Sequence, residues 1–553
     1  MKGQETVFGI DLGTTYSCIA YVDEYGKAVV IPNREGDPTT PSVVQFAGSE
    51  RIVGKEAKNS AVLAPGEVVE MVKRQMGDPH WRFIHEGIEY SPEEISSYIL
   101  RKLTDDASEY LGQPVKDVVI TCPAYFGIAQ RDATAKAGEL AGLNVREIIN
   151  EPTAAAIMYG LQEEDNKTVL VYDLGGGTFD VTVIDIKDSA ITVIATGGDH
   201  NLGGRNWDEA VVQYLAEQWK QQTGSSDDPL NSEETLQDLW GKAEDAKKTL
   251  TARQETTIAI VHAGQREKVV LSRETFNNLT ADLLERTIDF TKSCMDEARS
   301  RGYGRIDEIL LVGGSTRMPQ VAQRLTAEFD IHQRIFDPDQ AVAKGAALYG
   351  YKLLLGEKIK TAIADMTGTA TEQVDVEAVD QTLVDQAVRQ VAEEQGLVLG
   401  SAKKALDMKV TNVASHSFGI IAIDPATNRE VISNIVLVND PLPALKTRSY
   451  RTAEANQETV ELQVIENTYS TAVVDDPSFG EEIGNAVLNL PYGLPPGARI
   501  DVTFELQRDG RLHMTGRHPD SNSVIEVDIQ TSRGISEEEF QEAKSRAKNV
   551  VIS

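Results

Sequence analysis

The spacing of apolar positions changes character along the chain. From Val7 to about Leu355, short apolar runs such as Val118–Thr121, Val169–Tyr172 and Ile309–Val312 each lead into small residues and then a helical pattern. That alternation predicts an α/β architecture with sheets covered on both faces. From Gly356 to about Asp407, Val384, Ala387, Val388 and Val391 recur at helical spacing within a polar stretch, predicting one weakly amphipathic helix. From Lys409 to about Arg533 the period falls to two. Val460, Leu462 and Val464 alternate with polar residues, as do Ile500, Val502, Phe504 and Leu506, and later Ile525, Val527 and Ile529. Asp509-Gly510 between two such runs predicts a two-residue hairpin, because glycine tolerates positive φ. Short strands joined by such turns predict a β-sandwich. The final segment predicts a short helix, with Ser536 and Glu539 as a capping box and Phe540, Ala543 and Ala547 as its apolar stripe.

One stretch occurs twice. Val7-Phe-Gly-Ile-Asp11-Leu-Gly13-Thr-Thr15 matches Val169-Leu-Val-Tyr-Asp173-Leu-Gly175-Gly-Gly177, and each continues into a second apolar run, Ile19–Val22 and Val181–Ile184. Two copies of strand, Asp-Leu-Gly turn and strand predict two similar lobes in one region. The domain plan is therefore 1–355 as a two-lobed α/β unit, 356–407 as an acidic insert or linker, 408–534 as a β-sandwich, and 535–553 as a short helix.

Composition narrows the function. The 553 residues hold 54 Lys plus Arg against 86 Asp plus Glu, a formal net charge of −32, with 41% hydrophobic residues. The apolar fraction excludes wholesale disorder, and the charge opposes nucleic acid or an anionic membrane as the main partner. Between Asp365 and Glu394 stand eight acids and one base, Arg389, which reads as a solvated acidic helix between domains. Cys18, Cys122 and Cys294 lie far apart, with no metal-ligand spacing. They read as reduced thiols of a cytoplasmic protein, and no apolar run is long enough to span a membrane.

Each repeated hairpin sets an aspartate at a strand end, followed by small residues whose backbone N–H groups are unobstructed. Such a turn is an anion nest. Two nests facing across a cleft would hold a polyphosphate from both sides, with Asp11 and Asp173 offering carboxylates to Mg²⁺ and its waters. A third site, Val312-Gly-Gly-Ser-Thr-Arg-Met-Pro319, reads as strand, Gly-Gly turn and helix start. None of these is a Walker A or GxGxxG motif, which sets aside the P-loop and Rossmann classes.

The sequence closely resembles the heat-shock protein 70 (DnaK-type) chaperone family. The motifs that carry the resemblance are Gly9-Ile-Asp-Leu-Gly-Thr-Thr-Tyr-Ser17, Thr121-Cys-Pro-Ala-Tyr-Phe126, Ile148-Ile-Asn-Glu-Pro-Thr-Ala-Ala-Ala156 and Asp173-Leu-Gly-Gly-Gly-Thr-Phe-Asp180. Leu202-Gly-Gly204, Val312–Pro319 and Phe336-Asp-Pro-Asp-Gln-Ala-Val-Ala343 extend it to about residues 7–355. Ser417-Phe-Gly-Ile420, Thr452-Ala-Glu454 and Ile500-Asp-Val-Thr-Phe504 look like the family's substrate domain.

The resemblance implies an actin-like, two-lobed ATPase domain followed by an all-β peptide-binding sandwich, using ATP/ADP, Mg²⁺ and K⁺. Gly13, Thr14, Thr15 and Tyr16 would hold the phosphates from one lobe, and Gly175, Gly176, Gly177 and Thr178 from the other. Asp11 and Asp173 would orient the Mg²⁺ waters, while Tyr16, Thr178 and Asp180 fall where the family binds K⁺. Lys73 matches the lysine at the γ-phosphate, and Glu151 a carboxylate beside the nucleotide. Glu244, Lys247, Lys248 and Thr251 would clasp adenine and ribose with Gly313, Gly314, Ser315 and Arg317, and Asp339 completes that side. Pro123 and Arg131 match a relay toward the linker. Ile420, Ile423, Tyr450, Ala453, Val460, Leu462 and Ile500 match the peptide groove, with sandwich core as the secondary reading for Leu462 and Ile500.

Four departures from the family pattern stand out. The helical lid is reduced to the short helix after Gly534. The acidic segment 356–407 precedes the linker, and Lys409 and Asn412 replace an apolar and an acidic linker residue, which predicts poor linker docking. Glu147 stands where the family carries an arginine for its J-domain co-chaperone, opposing the usual acidic partner motif. The expected function is an ATP-dependent chaperone for extended apolar segments, served by a J-domain partner and a nucleotide exchange factor. A nucleotide-switched scaffold for one dedicated partner and a small-molecule kinase of the same superfamily compete with it.

Overall fold

The structure is a computed structural model that describes residues 5–162, 166–376, 378–508, 510–521, 523–529, 535–548 and 550–553. Its mixed α/β part is built on two six-stranded sheets. In the first, Val7–Asp11 pairs antiparallel with Tyr16–Val22 and parallel with Asp117–Cys122. In the second, Lys167–Leu174 pairs antiparallel with Phe179–Lys187 and parallel with Glu308–Val312. The sequence repeat thus becomes a repeat of strand pairing, one copy per sheet.

Two helices, Glu151–Gln162 and Ala341–Thr367, share one apolar core with strands from both sheets, including Val7, Val119, Val171 and Leu310. Their approach is too close for any side chain. A Cβ placed on Gly345 would fall 1.7 Å from the Ala154 carbonyl oxygen. Only glycine fits there, and the alanine run after Glu151 provides the matching thin surface.

Helix Ala341–Thr367 runs through the expected boundary at 355. Beyond it, helices Gln381–Glu394 and Leu399–Asp407 fold back and bury Ala387, Val388, Val391, Ala402 and Ala405 in the core that also holds Leu355 and Ile359. The expected helix is present, but 356–407 is not a solvated spacer. Its thin apolar stripe covers the end of the long helix, while Asp365, Glu372, Asp375, Asp380, Glu393, Glu394 and Asp407 are exposed.

Linker docking is also corrected. Lys409–Thr411 joins the edge of the second sheet, with Val410 opposite Ile191. A strand is held by backbone hydrogen bonds, so the changed side chains do not decide the outcome. Lys409 is exposed, and Asn412 accepts a hydrogen bond from Thr153 Oγ1 at 3.0 Å.

The all-β part has a five-stranded and a four-stranded sheet that share one core of Phe418, Ile420, Leu462, Val464, Val502, Phe504 and Met514. The predicted hairpin forms between Arg499–Leu506 and Leu512–His518, and Gly510 has φ 89°. Its loop is longer than two residues, since Gln507 N–H reaches Arg511 O at 2.9 Å, and Asp509 lies outside the described residues. This part rests against the α/β part. Asn439 Oδ1 accepts from Thr196 N–H at 2.9 Å, and Ser415 Oγ donates to Phe126 O at 3.1 Å. Glu466 Oε1 lies 2.6 Å from His416 Nδ1 and accepts from Ile128 N–H at 3.3 Å.

The last helix, Glu537–Ala547, starts at the expected capping box of Ser536 and Glu539. It seats on the first lobe and not over the β sheets. Phe540, Ala543 and Ile535 pack on Leu140, and Arg82 meets Glu539 at 2.8 Å. Val551–Ile552 then adds a parallel strand beside Glu50–Val53. Among the described residues, no helix is long and apolar enough to cross a membrane.

Candidate functional site

Between the two repeated hairpins lies a cleft of about 610 Å³. Its floor is made by the turns that follow Asp11 and Asp173, packed tip to tip. A Cβ on Gly177 would fall 2.3 Å from Thr14 Cγ2, and one on Gly176 would fall 2.2 Å from Thr15 Oγ1. Glycines on one lobe therefore make room for threonines on the other, which lets the two turns approach closely. Hydroxyls brace the turns from behind: Ser42 Oγ donates to Gly13 O at 2.7 Å, and Ser315 Oγ to Gly175 O at 2.9 Å.

The sequence-predicted residues converge here. Asp11, Gly13, Thr14, Thr15, Tyr16, Lys73, Glu151, Asp173, Gly175, Gly176 and Thr178 line the cleft. Glu244, Lys247, Lys248, Thr251, Gly313, Gly314, Ser315, Arg317 and Asp339 line its other wall. Gly177 packs behind the surface and Asp180 is buried beneath it, accepting from Tyr125 N–H at 3.2 Å. Arg317 and Asp339 are ion-paired at 2.5 Å, and Lys247 is held by Asp208 at 2.8 Å.

Lys73 is buried, with Nζ 2.5 Å from Glu151 Oε1. One lysine does not balance the acids around it. Burial, then the Glu151 charge, push Asp11 up to about 7 even though Lys73 opposes the shift. Burial with Glu151 pushes Asp180 up to about 8, and Asp173 also rises well above the carboxylate range. This is a pocket short of positive charge. Its donors are carboxylate oxygens, the chemistry that suits Mg²⁺ with retained waters. Among the described residues no group of three or more His, Cys, Asp or Glu has the arrangement of a direct metal cage.

Across the mouth of the cleft, Lys58 Nζ lies 2.5 Å from Glu244 Oε2 and 3.1 Å from Tyr16 Oη. Burial alone would raise Glu244, but Lys58 and Lys248 together hold it down at about 2. Arg74 donates to Gly177 O at 2.7 Å and to Asn206 Oδ1 at 2.9 Å. Lys58, Arg74, Glu70 and Arg205 were not singled out from sequence. No residue spacing marks a contact that forms only when two distant segments close on each other.

The other predicted residues scatter more. Arg131 donates to Phe126 O at 3.3 Å and to Asn150, and lies against Gly510 of the β part, while Pro123 O accepts from Phe126 N–H at 3.1 Å in the turn before the helix that carries Arg131. Ile420, Leu462 and Ile500 are buried in the β core, with Tyr450 and Val460 packed against it. Ala453 is exposed and Ile423 is 52% exposed, both away from that core. Glu147 accepts from Tyr349 Oη at 2.9 Å.

A sequence model of the family described as Hsp70 protein matches residues 7–371 and 357–551. The chaperone protein DnaK of two Halobacterium salinarum strains is 36% identical over 558 residues, covering 98% of this chain and 78% of each relative.

Proposed function

Since the chain belongs to the Hsp70 family and is an ATP-dependent molecular chaperone with ATPase activity, we propose that the cleft between the repeated hairpins is where ATP is held and hydrolysed. The observation that carries this reading is the pairing of two glycine-threonine turns above three carboxylates with raised affinity for protons. Mg²⁺ supplies charge neutralisation for the phosphates when bound, with Asp11 and Asp173 orienting its waters. Tyr16, Thr178 and Asp180 form the K⁺ position. Lys73 Nζ, held by Glu151, faces the terminal phosphoryl group and steadies the charge that spreads over it during transfer to water. Glu244, Lys247, Lys248, Thr251, Ser315 and Arg317 hold the adenosine end, flanked by Asp339.

In this reading residues 7–408 form the actin-like ATPase unit, with the helices after 355 as part of it, and the β sheets form a peptide-binding sandwich. Extended apolar polypeptide is captured on the β part beside Tyr450 and Val460, which pack on the buried Ile420, Leu462 and Ile500, with the exposed Ile423 and Ala453 at the rim. Pro123 and Arg131 pass nucleotide state toward the linker strand and the β part. The protein works in the cytoplasm with a J-domain co-chaperone and a nucleotide exchange factor, and Glu147 alters the J-domain contact.

The test is steady-state ATP hydrolysis with and without an apolar heptapeptide. Stimulation by peptide is expected, and Glu466→Ala should reduce it while basal hydrolysis persists. A basal ATPase indifferent to every peptide tried would reject coupling between the two parts.

A further inference from the structure

Helix Gly204–Thr223 begins against the second phosphate turn. Gly204 N–H donates to Gly175 O at 2.9 Å, and Arg205 N–H to Gly176 O at 2.8 Å. The Arg205 backbone is therefore fixed to the turn that faces Thr14 and Thr15. Its side chain lines the cleft and lies over Trp240, the guanidinium carbon 3.4 Å from the ring centroid. Both partners belong to the second lobe, and stacking leaves the guanidinium edge facing across the gap.

On the far side of that gap is Glu70, with Oε2 3.8 Å from Arg205 Nη2 and both side chains largely shielded. Glu70 sits on the first lobe, in the short segment that enters the turn Val72–Gln75. That turn carries Lys73. Its next residue, Arg74, also crosses the gap to Gly177 O and to Asn206, the neighbour of Arg205. The lysine is thus bracketed in sequence by two residues that bind the start of one helix and one phosphate turn of the other lobe. Asp208, Glu209 and Glu244 also attract Arg205, and Arg74 repels it. Glu70 is the acid among these that comes from the opposite lobe.

We propose that Arg205, stacked on Trp240 and paired with Glu70, is a positioning residue that locks the Lys73 turn to the second lobe. Lobe closure and placement of the lysine then become one event. The proposal rests on the reading of this cleft as the nucleotide site. It assigns Arg205 no contact with the reacting atoms; it acts through Glu70 and the backbone of residues 70–74.

The experiment compares wild type, Arg205→Ala, Arg205→Lys, Glu70→Gln and the double variant Arg205→Ala/Glu70→Gln. Single-turnover hydrolysis of ATP and stopped-flow release of a fluorescent ADP analogue are read for each. A stacked, partly shielded cation and one cross-lobe ion pair together predict a roughly tenfold loss of hydrolysis rate and a roughly tenfold faster release in Arg205→Ala. Arg205→Lys should recover part of both, because it restores the charge without the planar stack. The double variant should be no worse than Arg205→Ala. Unchanged rates in a folded Arg205→Ala, or fully additive losses in the double variant, overturn the proposal while leaving the nucleotide site intact. Failure of the wild type to bind the analogue would overturn the site reading itself.

Discussion

Lys73 and Glu151 form a buried ion pair, Nζ to Oε1 at 2.5 Å, that joins the turn Val72–Gln75 to the start of helix Glu151–Gln162. A buried pair costs desolvation and is weak evidence for stability. Its value here lies in direction: the carboxylate aims the ammonium group into the cleft. Lys73→Ala should lower turnover by at least roughly 100-fold, the scale of removing one preorganised charge donor. Nucleotide affinity, measured by calorimetry with Mg-ADP, should stay within a few-fold. Near-wild-type turnover in that variant would remove Lys73 from the mechanism.

The carboxylate cluster makes a pH prediction. Asp11 and Asp180 titrate at about 7 and about 8 in the folded protein, against an ordinary 3.8. Between those values the folded state binds more protons than the unfolded state, so stability falls as pH rises. The penalty is absent at about pH 4 and complete above about pH 8. A cation in the cleft offsets it by favouring the ionised form. The rise in Tm on adding Mg-ADP should therefore be larger at pH 8 than at pH 5, and Asp180→Asn should narrow the difference. Equal shifts at both pH values would mean that these groups keep ordinary affinities.

A third prediction concerns the end of the described chain. Arg546 donates to both oxygens of Glu94, at 2.7 and 3.1 Å, and the Glu94 side chain is 0% exposed. Arg101 adds bonds to Ala547 O at 2.6 Å and Val550 O at 3.2 Å. Arg546→Ala leaves a shielded carboxylate with Tyr98 Oη, which donates to it at 2.9 Å, in place of the ion pair. The cost should be about 1–3 kcal/mol, concentrated in local opening. Hydrogen exchange should speed up across residues 537–552 and stay slow in Pro92–Leu111. Uniform destabilisation of the whole first lobe would contradict a locally seated segment.

Much of this was legible in the sequence, for reasons that differ by element. The repeated Asp-Leu-Gly hairpins could be read because a tight, closely approached turn needs small residues at fixed spacing beside a strand, and that demand is local. The helix over Gln381–Glu394 showed its stripe of Val384, Ala387, Val388 and Val391, but periodicity cannot name the surface a stripe covers. Its docking on Ala341–Thr367 came only with the fold. The linker misled because side-chain identity was read where backbone pairing decides. Glu70 and Arg205 could not be found at all, since their meeting depends on how two lobes close and not on any local pattern.

The seating of Glu537–Ala547 and Val551–Ile552 on the first lobe has a topological consequence. With Lys409–Thr411 paired to the second sheet at one end and Val551–Ile552 paired to Glu50–Val53 at the other, the β part is inserted in the α/β part and anchored at both ends. Ile529 and Ile535 are six residues apart in number, a reach of about 21 Å even if fully extended. While both anchors hold, chain connectivity alone keeps the two ends of the β part close to the α/β part. The contacts of Asn439, Ser415 and Glu466 with the α/β part therefore form at a high effective concentration, set by covalent geometry and not by diffusion of a free domain.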